Sequence, residues 1–449
     1  MPLPSFTGTP VLIGNPALTF PLMQPAFSGI MGPYEHGSNL YWVAMEIDST
    51  GVNIPLYPVA YKSTDGGATF TRFPVARTAH WTVVSGGTMC VSKAASGTVI
   101  DIAWCDASTD HAHGELNTTT FDMATDSWGS INYTGQALTV NSPGRIYISR
   151  LSNNNLVVSW DIEGISVNAI VWTGSSWGSV VPIRSGSAFQ LWVSQLVASD
   201  TVLMFTDNDA KGNIYCSVFA SGAVTTSVLA LTVPTFHDSP NPQNDPQCAY
   251  YDATSDTIAW ILIRKQHSPG GSLDLLLGTP STNPTFSLVN IDTDPPANLE
   301  WDQPVITGNA AGSHFYILSW ATVTNIVNIW GSSTLASGWA ARSNYYDVNA
   351  NPPSPPPFAP EDYPVYALIL SSGSLVSTIG MLYNVGSVPW CGVFAYLPAS
   401  LPIAPACPIN TTATVGVPYT GTLTATGGTP PYMWSIVSGA LPPGLTLNS

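Results

Sequence analysis

The chain predicts an all-β protein, built as a β-propeller of seven blades. Three observations carry that expectation. A short passage of apolar strand, tight polar turn and aromatic-rich second strand recurs seven times, at Phe27–Met45, Met89–Trp104, Ile146–Trp160, Leu191–Phe205, Gln247–Leu262, Pro304–Trp320 and Val365–Leu382. The apolar residues that open the second strands are Leu40, Val99, Leu156, Val202, Ile258, Phe315 and Leu375, spaced 46 to 60 residues apart. That period leaves room for two more short strands per copy, as a propeller blade requires. The third observation is composition. Glycine (38) and proline (39) are abundant and only 8% of residues are charged, which leaves few helix-forming stretches. Six blades, with a separate module from Pro352, is the alternative.

In the first copy the third strand is expected near Leu56–Lys62 and the fourth near Ala68–Val75. The turn between them reads Ser63-Thr64-Asp65-Gly66-Gly67-Ala68-Thr69-Phe70. Asp65 is placed to accept hydrogen bonds from the turn's own N–H groups, and Gly67 allows the positive φ such a turn needs. Phe70 is expected to pack between sheets. Partial versions of this turn follow at Phe121–Trp128, Trp172–Trp177 and Leu335–Trp339. Apolar and polar residues alternate around these turns, which suits half-buried strands. The last copy offers strands near Val365–Leu370, Leu375–Tyr383 and Val388–Leu397. Its missing outer strand is expected from the N-terminus, near Thr9–Gly14, which would close the ring and remove open edges. Asn349–Pro360 is proline-rich and reads as a stiff connection.

The turn at Ser63–Phe70 resembles the Asp-box (BNR repeat) of sialidase-like propellers at every defined position. The resemblance points to a fold, with Ser63, Asp65, Gly67, Thr69 and Phe70 as structural residues. From Thr411 the runs Ala413–Tyr419, Thr429–Ser435 and Gly439–Leu445 resemble the first half of a bacterial putative-Ig (cadherin-like) domain. The expected organisation is therefore a propeller over 3–400, a proline-rich linker over 401–410 and a truncated Ig-like β-sandwich segment over 411–449. Such modules occur as extracellular spacers, so further Ig-like modules are expected beyond Ser449. A half sandwich leaves Tyr432, Trp434 and Leu445 without a partner sheet, so the segment is not expected to be stable alone.

In a propeller, the turns joining strands one and two and strands three and four share one face. The two-to-three and four-to-one loops share the other. The one-to-two turns here are small and nearly neutral, whereas the opposite face collects the charge. Arg77, His80, Arg145, Arg184, His237, Asp238, Glu300, Trp301 and Asp302 fall before first strands. Asp106, His111, His113, Asp161, Asp207 and Arg264 fall in two-to-three loops. Loops on a rigid scaffold commonly carry function. Arg77, His80, Arg145, Arg184, His237, Arg264, Glu300 and Trp301 are thus the candidate ligand-binding residues, with Trp81 and Tyr363 beside them. Arg77, Arg145 and Arg184 would converge at the channel mouth on a carboxylate. The sialidase resemblance uses three arginines in this way, but the family's early aromatic-Arg-Ile-Pro motif has no good counterpart. His111 and His113 are candidate ligands for a divalent cation, with a solvated loop as the plainer reading. No other cofactor is expected.

The net charge of −16 argues against a nucleic-acid partner. Apolar runs are of strand length, so membrane insertion is not expected. No Lys or Arg precedes Lys62 and prolines interrupt the N-terminal stretch, so no signal peptide is seen. The six cysteines show no C-x-x-C spacing; Cys90 with Cys105, and Cys391 with Cys407, are possible disulfides beside the reading of buried free thiols. The leading functional expectation is an extracellular, cell-surface or virion recognition module, from bacterium or phage, that binds a glycan or surface receptor. One alternative is a sialidase-like glycoside hydrolase or lyase, with Asp238 or Asp302 as acid/base on an acidic sugar. The other is a structural or protein-binding propeller.

Overall fold

The structure, a computed structural model, describes residues 34–47, 56–67, 69–76, 89–93, 97–107, 113–139, 146–162, 166–185, 192–198, 200–207, 213–220, 223–224, 228–232, 244–264, 272–281, 283–293, 301–309, 312–321 and 326–347, the strand residues 11–12, 358–359, 365–369, 375–384, 391–396 and 404–406, and isolated positions at 3, 32 and between 417 and 447. No helix occurs among them.

Strands follow one another as antiparallel meanders. Sheet one is Tyr34–His36, Asn39–Ile47, Leu56–Ser63 and Thr71–Pro74. Sheet two is Met89–Lys93, Val99–Ala107, His113–Asp122 and Asn132–Thr139, with Ser127–Trp128 also on the third strand. Sheet three is Ile146–Arg150, Leu156–Ile162, Ser166–Trp172 and Val181–Ser185. Sheet four is Trp192–Ala198, Thr201–Asp207 and Asn213–Ala220, the last carrying both Ala223–Val224 and Val228–Thr232. Sheet five is Asn244–Asp252, Thr257–Arg264, Ser272–Gly278 and Phe286–Thr293. Sheet six is Trp301–Gly308, Phe315–Ala321, Ile326–Ser332 and Ser343–Asp347. A composite sheet joins Val11–Leu12 to Cys391–Tyr396, which pairs with Leu375–Asn384, which in turn carries Val365–Ile369 and Phe358–Ala359. Each anchor residue of the repeat occupies the first or second position of a second strand.

First strands pack side by side from sheet two through sheets three, four, five and six to Val365–Ile369 of the composite sheet. That arrangement, meander after meander with first strands innermost, is a propeller. Five contiguous junctions are formed in this way. Among the described residues, no packing of that extent joins Val365–Ile369 to Tyr34–His36. The expected closed ring of seven blades is therefore corrected: among the described residues the all-β propeller has five blades, not seven. The N-terminal strand does pair as expected, Val11 opposite Ala395 and Leu12 opposite Phe394.

The second strands are not half-buried, contrary to the alternation expected around the turns. Ile258 through Leu262 are all fully buried, as are Val157 and Val158, because a blade sheet is covered on both faces. Trp260, with Ile258, Leu262 and Leu276, packs against Leu203, Ile214, Cys216 and Val218 of sheet four. Trp330 of sheet six packs with Ala259, Ile261, Leu273 and Leu275 of sheet five. Burial on this scale contributes about 1.5–3 kcal/mol per large side chain.

Tight turns are built on left-handed residues. Asn154 (φ 65), Asp200 (φ 58) and Asp256 (φ 48) hold this conformation in the one-to-two turns of sheets three, four and five, and Asp126 (φ 53) in the three-to-four turn of sheet two. Asn and Asp tolerate it best among residues with a Cβ. In the Ser63–Phe70 turn, the Thr69 N–H and hydroxyl donate to Asp65 at 2.9 and 2.6 Å, and the Gly67 N–H donates to Ser63 Oγ at 2.7 Å. Gly66 (φ 73) and Gly67 (φ 97) both lie in the positive region. The network is local and exposed at Thr69, so Asp65→Ala is expected to cost only about 1 kcal/mol in a denaturant titration. A loss above about 3 kcal/mol would mean that Asp65 holds more than its own turn.

Ala404–Ala406, within the expected linker, pairs with Thr424–Thr426. The rest of the expected Ig-like segment lies mainly outside the described residues.

Candidate functional site

On the face of the one-to-two and three-to-four turns, polar side chains bridge neighbouring sheets. Between sheets one and two, the Tyr41 hydroxyl lies 2.8 Å from the Met123 carbonyl and 2.9 Å from Asp126 Oδ1. Lys62 Nζ donates to Asp126 Oδ2 at 2.6 Å and stands 5.6 Å from the centre of the Tyr41 ring. Burial, then the hydrogen bond to Asp126, pushes the Tyr41 hydroxyl up, and the bond to Asp126 raises the Lys62 ammonium. The Trp128 indole N–H donates to the Phe73 carbonyl at 3.0 Å. Between sheets two and three, Arg150 grips Asp101 with two donors, Nε–Oδ2 being 2.8 Å. Asp101 is fully buried and Arg150 only partly so. Burial pushes the Asp101 carboxyl up, and Arg150 opposes it. Between sheets three and four, the Ser152 N–H donates to Asp200 Oδ1 at 2.7 Å and the Ser152 hydroxyl donates to Asp200 Oδ2. Nearer the outer strands of sheets five and six, the Trp330 indole N–H donates to Asp292 Oδ2 at 3.0 Å.

The one-to-two turns, small and nearly neutral in sequence, thus take part in structural contacts. Asp200 and Ser152 belong to those turns, and Asp101 and Arg150 sit on the strands beside them. What these groups do is hold blades together. The sequence signal is the Asn or Asp shortly before a second strand, which suits a left-handed turn. In the three-to-four turns the expected aromatics do pack. Trp128 meets Phe121 edge-on at 5.0 Å, Trp177 tilts on Trp172 at 5.3 Å, and the Trp339 indole donates to the Leu335 carbonyl at 3.0 Å.

The opposite face is described by backbone register. Arg77, His80, Arg145, His237, Asp238, Glu300 and His111 lie outside the described residues, as do Trp81 and Tyr363. His113 opens the third strand of sheet two, opposite Thr139. Arg264 closes the second strand of sheet five, with Asn244 and Ser272 as its partners on either side. Trp301 stands opposite Ala321 and Asp302 opposite Trp320. Arg184 was expected to precede a first strand. It lies instead within the fourth strand of sheet three, opposite Val167, with two strands between it and Ile146–Arg150. Its place is the outer part of the blade. No group of three or more metal-ligating side chains occurs among the described residues.

Cys90 is opposite Ala103, two residues from Cys105, so the two are diagonal across the hairpin. Diagonal positions are about 7–8 Å apart, beyond the usual reach of a disulfide. Cys391 stands in the composite sheet opposite Tyr383, and Cys407 lies outside the described residues. Cys216 is a buried free thiol pushed up to about 12 by burial. Asp274 is fully buried at the loop end of sheet five, where it accepts from the Ser272 hydroxyl at 2.6 Å and the Asn290 amide at 2.9 Å.

No family model and no curated protein matches this chain. Among solved structures, it is similar to the α-L-arabinanase of Penicillium chrysogenum complexed with arabinobiose, at 11% identity and TM-score 0.48 over 87% of this chain and 98% of that one. It is similar to the α-L-arabinofuranosidase of Fusarium graminearum, at 13% identity and TM-score 0.46 over 88% and 98%. The NanB sialidase of Streptococcus pneumoniae gives 11% identity and TM-score 0.46 over 72% of this chain and 68% of that one. These are likenesses of shape at low identity; the propeller itself is established by strand order and packing.

Proposed function

We propose that the protein is a surface recognition module that binds carbohydrate through the face of the two-to-three and four-to-one loops. One observation carries this reading. The opposite face uses its polar side chains as bridges between sheets, at Tyr41–Asp126, Arg150–Asp101 and Ser152–Asp200, and so is committed to holding the blades. Asp207, Arg264 and Asp302 stand at the other ends of their strands by register. A rigid scaffold with one committed face presents its ligand groups on the other. The Asp-box character of the Ser63–Phe70 turn, the Ig-like run after Thr411 and the sparse charge support an exterior setting, as part of a cell-surface or virion protein.

The test is a glycan array probed with the full chain. Binding to a defined glycan class is expected, weakened at least tenfold by Arg264→Ala and unchanged by Asp65→Ala on the opposite face. Absence of binding to every glycan would overturn the proposal in favour of a structural or protein-binding propeller. Release of reducing sugar from a bound glycan would make the same face that of a hydrolase.

A further inference from the structure

Sheets four, five and six repeat one register position with chemistry that the arginine-centred reading does not use. Five residues past the anchors Val202, Ile258 and Phe315 stand Asp207, Ile263 and Trp320. Their first-strand partners are Trp192, Asp245 and Asp302 respectively. The three first strands pack side by side in that order. Asp245 and Asp302 therefore occupy equivalent places on adjacent innermost strands, with Trp192 in the equivalent place one sheet earlier. In both sheets five and six the ladder breaks register directly after this region, between Pro246 and Ala249 and between Asp302 and Val305. One row across three blades thus holds three carboxylate-bearing residues and two tryptophans, with Arg264 at the neighbouring position of sheet five.

We infer that this row, Trp192 and Asp207 with Asp245 and with Asp302 and Trp320, is a subsite for a neutral saccharide. The inference rests on the carbohydrate reading above and names its substrate class. Ionised carboxylates accept hydrogen bonds and donate none, so they match the hydroxyl donors of an uncharged sugar. Indole rings supply the apolar, rigid area that such a ligand's C–H faces need. A sialic acid or uronate would bring its own anion to an acidic row on a chain of net charge −16, where like charges oppose binding. The row thus selects against the acidic sugars that converging arginines would favour.

The test compares Asp245→Asn and Asp302→Asn with the unaltered full chain on neutral and on sialylated or uronic oligosaccharides. Isothermal titration is run with and without EDTA, and near-UV circular dichroism checks folding. Binding of a neutral oligosaccharide is expected, weakened at least tenfold in each variant while the folded spectrum is kept, and indifferent to EDTA. Trp192→Phe, which keeps an aromatic ring, is expected to retain more of the binding than Trp192→Ala. Binding only of acidic sugars, undiminished in both Asn variants, would overturn this inference and leave carbohydrate recognition standing. Loss of binding on chelation would replace direct recognition by a metal bridge and overturn it too. Failure to bind any sugar would remove the carbohydrate reading itself.

Discussion

Arg150→Ala is expected to destabilise the protein by about 3 kcal/mol, because it leaves a buried carboxylate without its cation. Asp101 is fully buried on the second strand of sheet two, and Arg150 reaches it from the first strand of sheet three with two donors. The loss is set at the lower end of the range for broken buried pairs because the arginine is partly exposed. Asp101→Asn, which removes the charge and keeps the shape, is expected to cost less, and Asp101→Asn with Arg150→Ala less than the sum of the two. The pH dependence has a definite sign. Burial raises Asp101 in the folded state, so between its unfolded and folded values the native protein binds more protons than the unfolded chain. Stability from this group is full below the unfolded value and is lost as pH rises through the folded one. Arg150→Ala removes the opposing influence, so the window should extend to higher pH and the variant should gain from mild acid more than the parent. Urea titrations of both proteins across pH measure it. Equal stability of Arg150→Ala and the parent at neutral pH would show that the pair is not holding sheets two and three.

Much of the blade was legible in the sequence because its signals are local and repeat. The anchors Leu40, Val99, Leu156, Val202, Ile258, Phe315 and Leu375 all open second strands, since a strand buried on both faces must be apolar along its length. The Ser63–Phe70 turn was legible for the same reason: Asp65 bonds to Thr69, four residues away. Bridges between blades were not legible. Arg150 and Asp101 lie 49 residues apart and Tyr41 and Asp126 lie 85 apart, and nothing in either neighbourhood names its partner. Arg184 shows the cost of assigning loops by counting. A residue expected in a loop before a first strand is held in a fourth strand by the pairing of Val181–Ser185, which moves it to the outer part of the blade. The Asp245–Asp302 match was hidden because Pro246 and the register break obscure the strand, and it emerges only when each residue is aligned on its partner, Ile263 or Trp320.

Trp330→Ala is expected to be at least as damaging as the loss of Arg150, at about 3–5 kcal/mol. Trp330 is fully buried on the third strand of sheet six, and its apolar neighbours come from both sides of a blade junction: Ala259, Ile261, Leu273 and Leu275 of sheet five, and Ile306 and Ile317 of its own sheet. Truncation would open a cavity between two sheets that each have a second neighbour, so neither can move in to fill it. Its indole N–H also donates to Asp292 Oδ2 at 3.0 Å, with Arg342 Nε a further 4.0 Å from the same oxygen. Trp330→Phe keeps most of the volume and loses that donor, so its cost should be smaller, about 1–2 kcal/mol. The contrast separates packing from hydrogen bonding. If Phe is nearly as costly as Ala, the bond to Asp292 dominates and Asp292→Ala, which removes the acceptor, should reproduce the effect; if Phe is well tolerated, the junction is held by volume. Hydrogen exchange should then show early opening of Phe286–Thr293 and Ser343–Asp347 in Trp330→Ala, because these outer strands flank the lost indole. Protection unchanged in both strands would mean that the blades hold together without this residue.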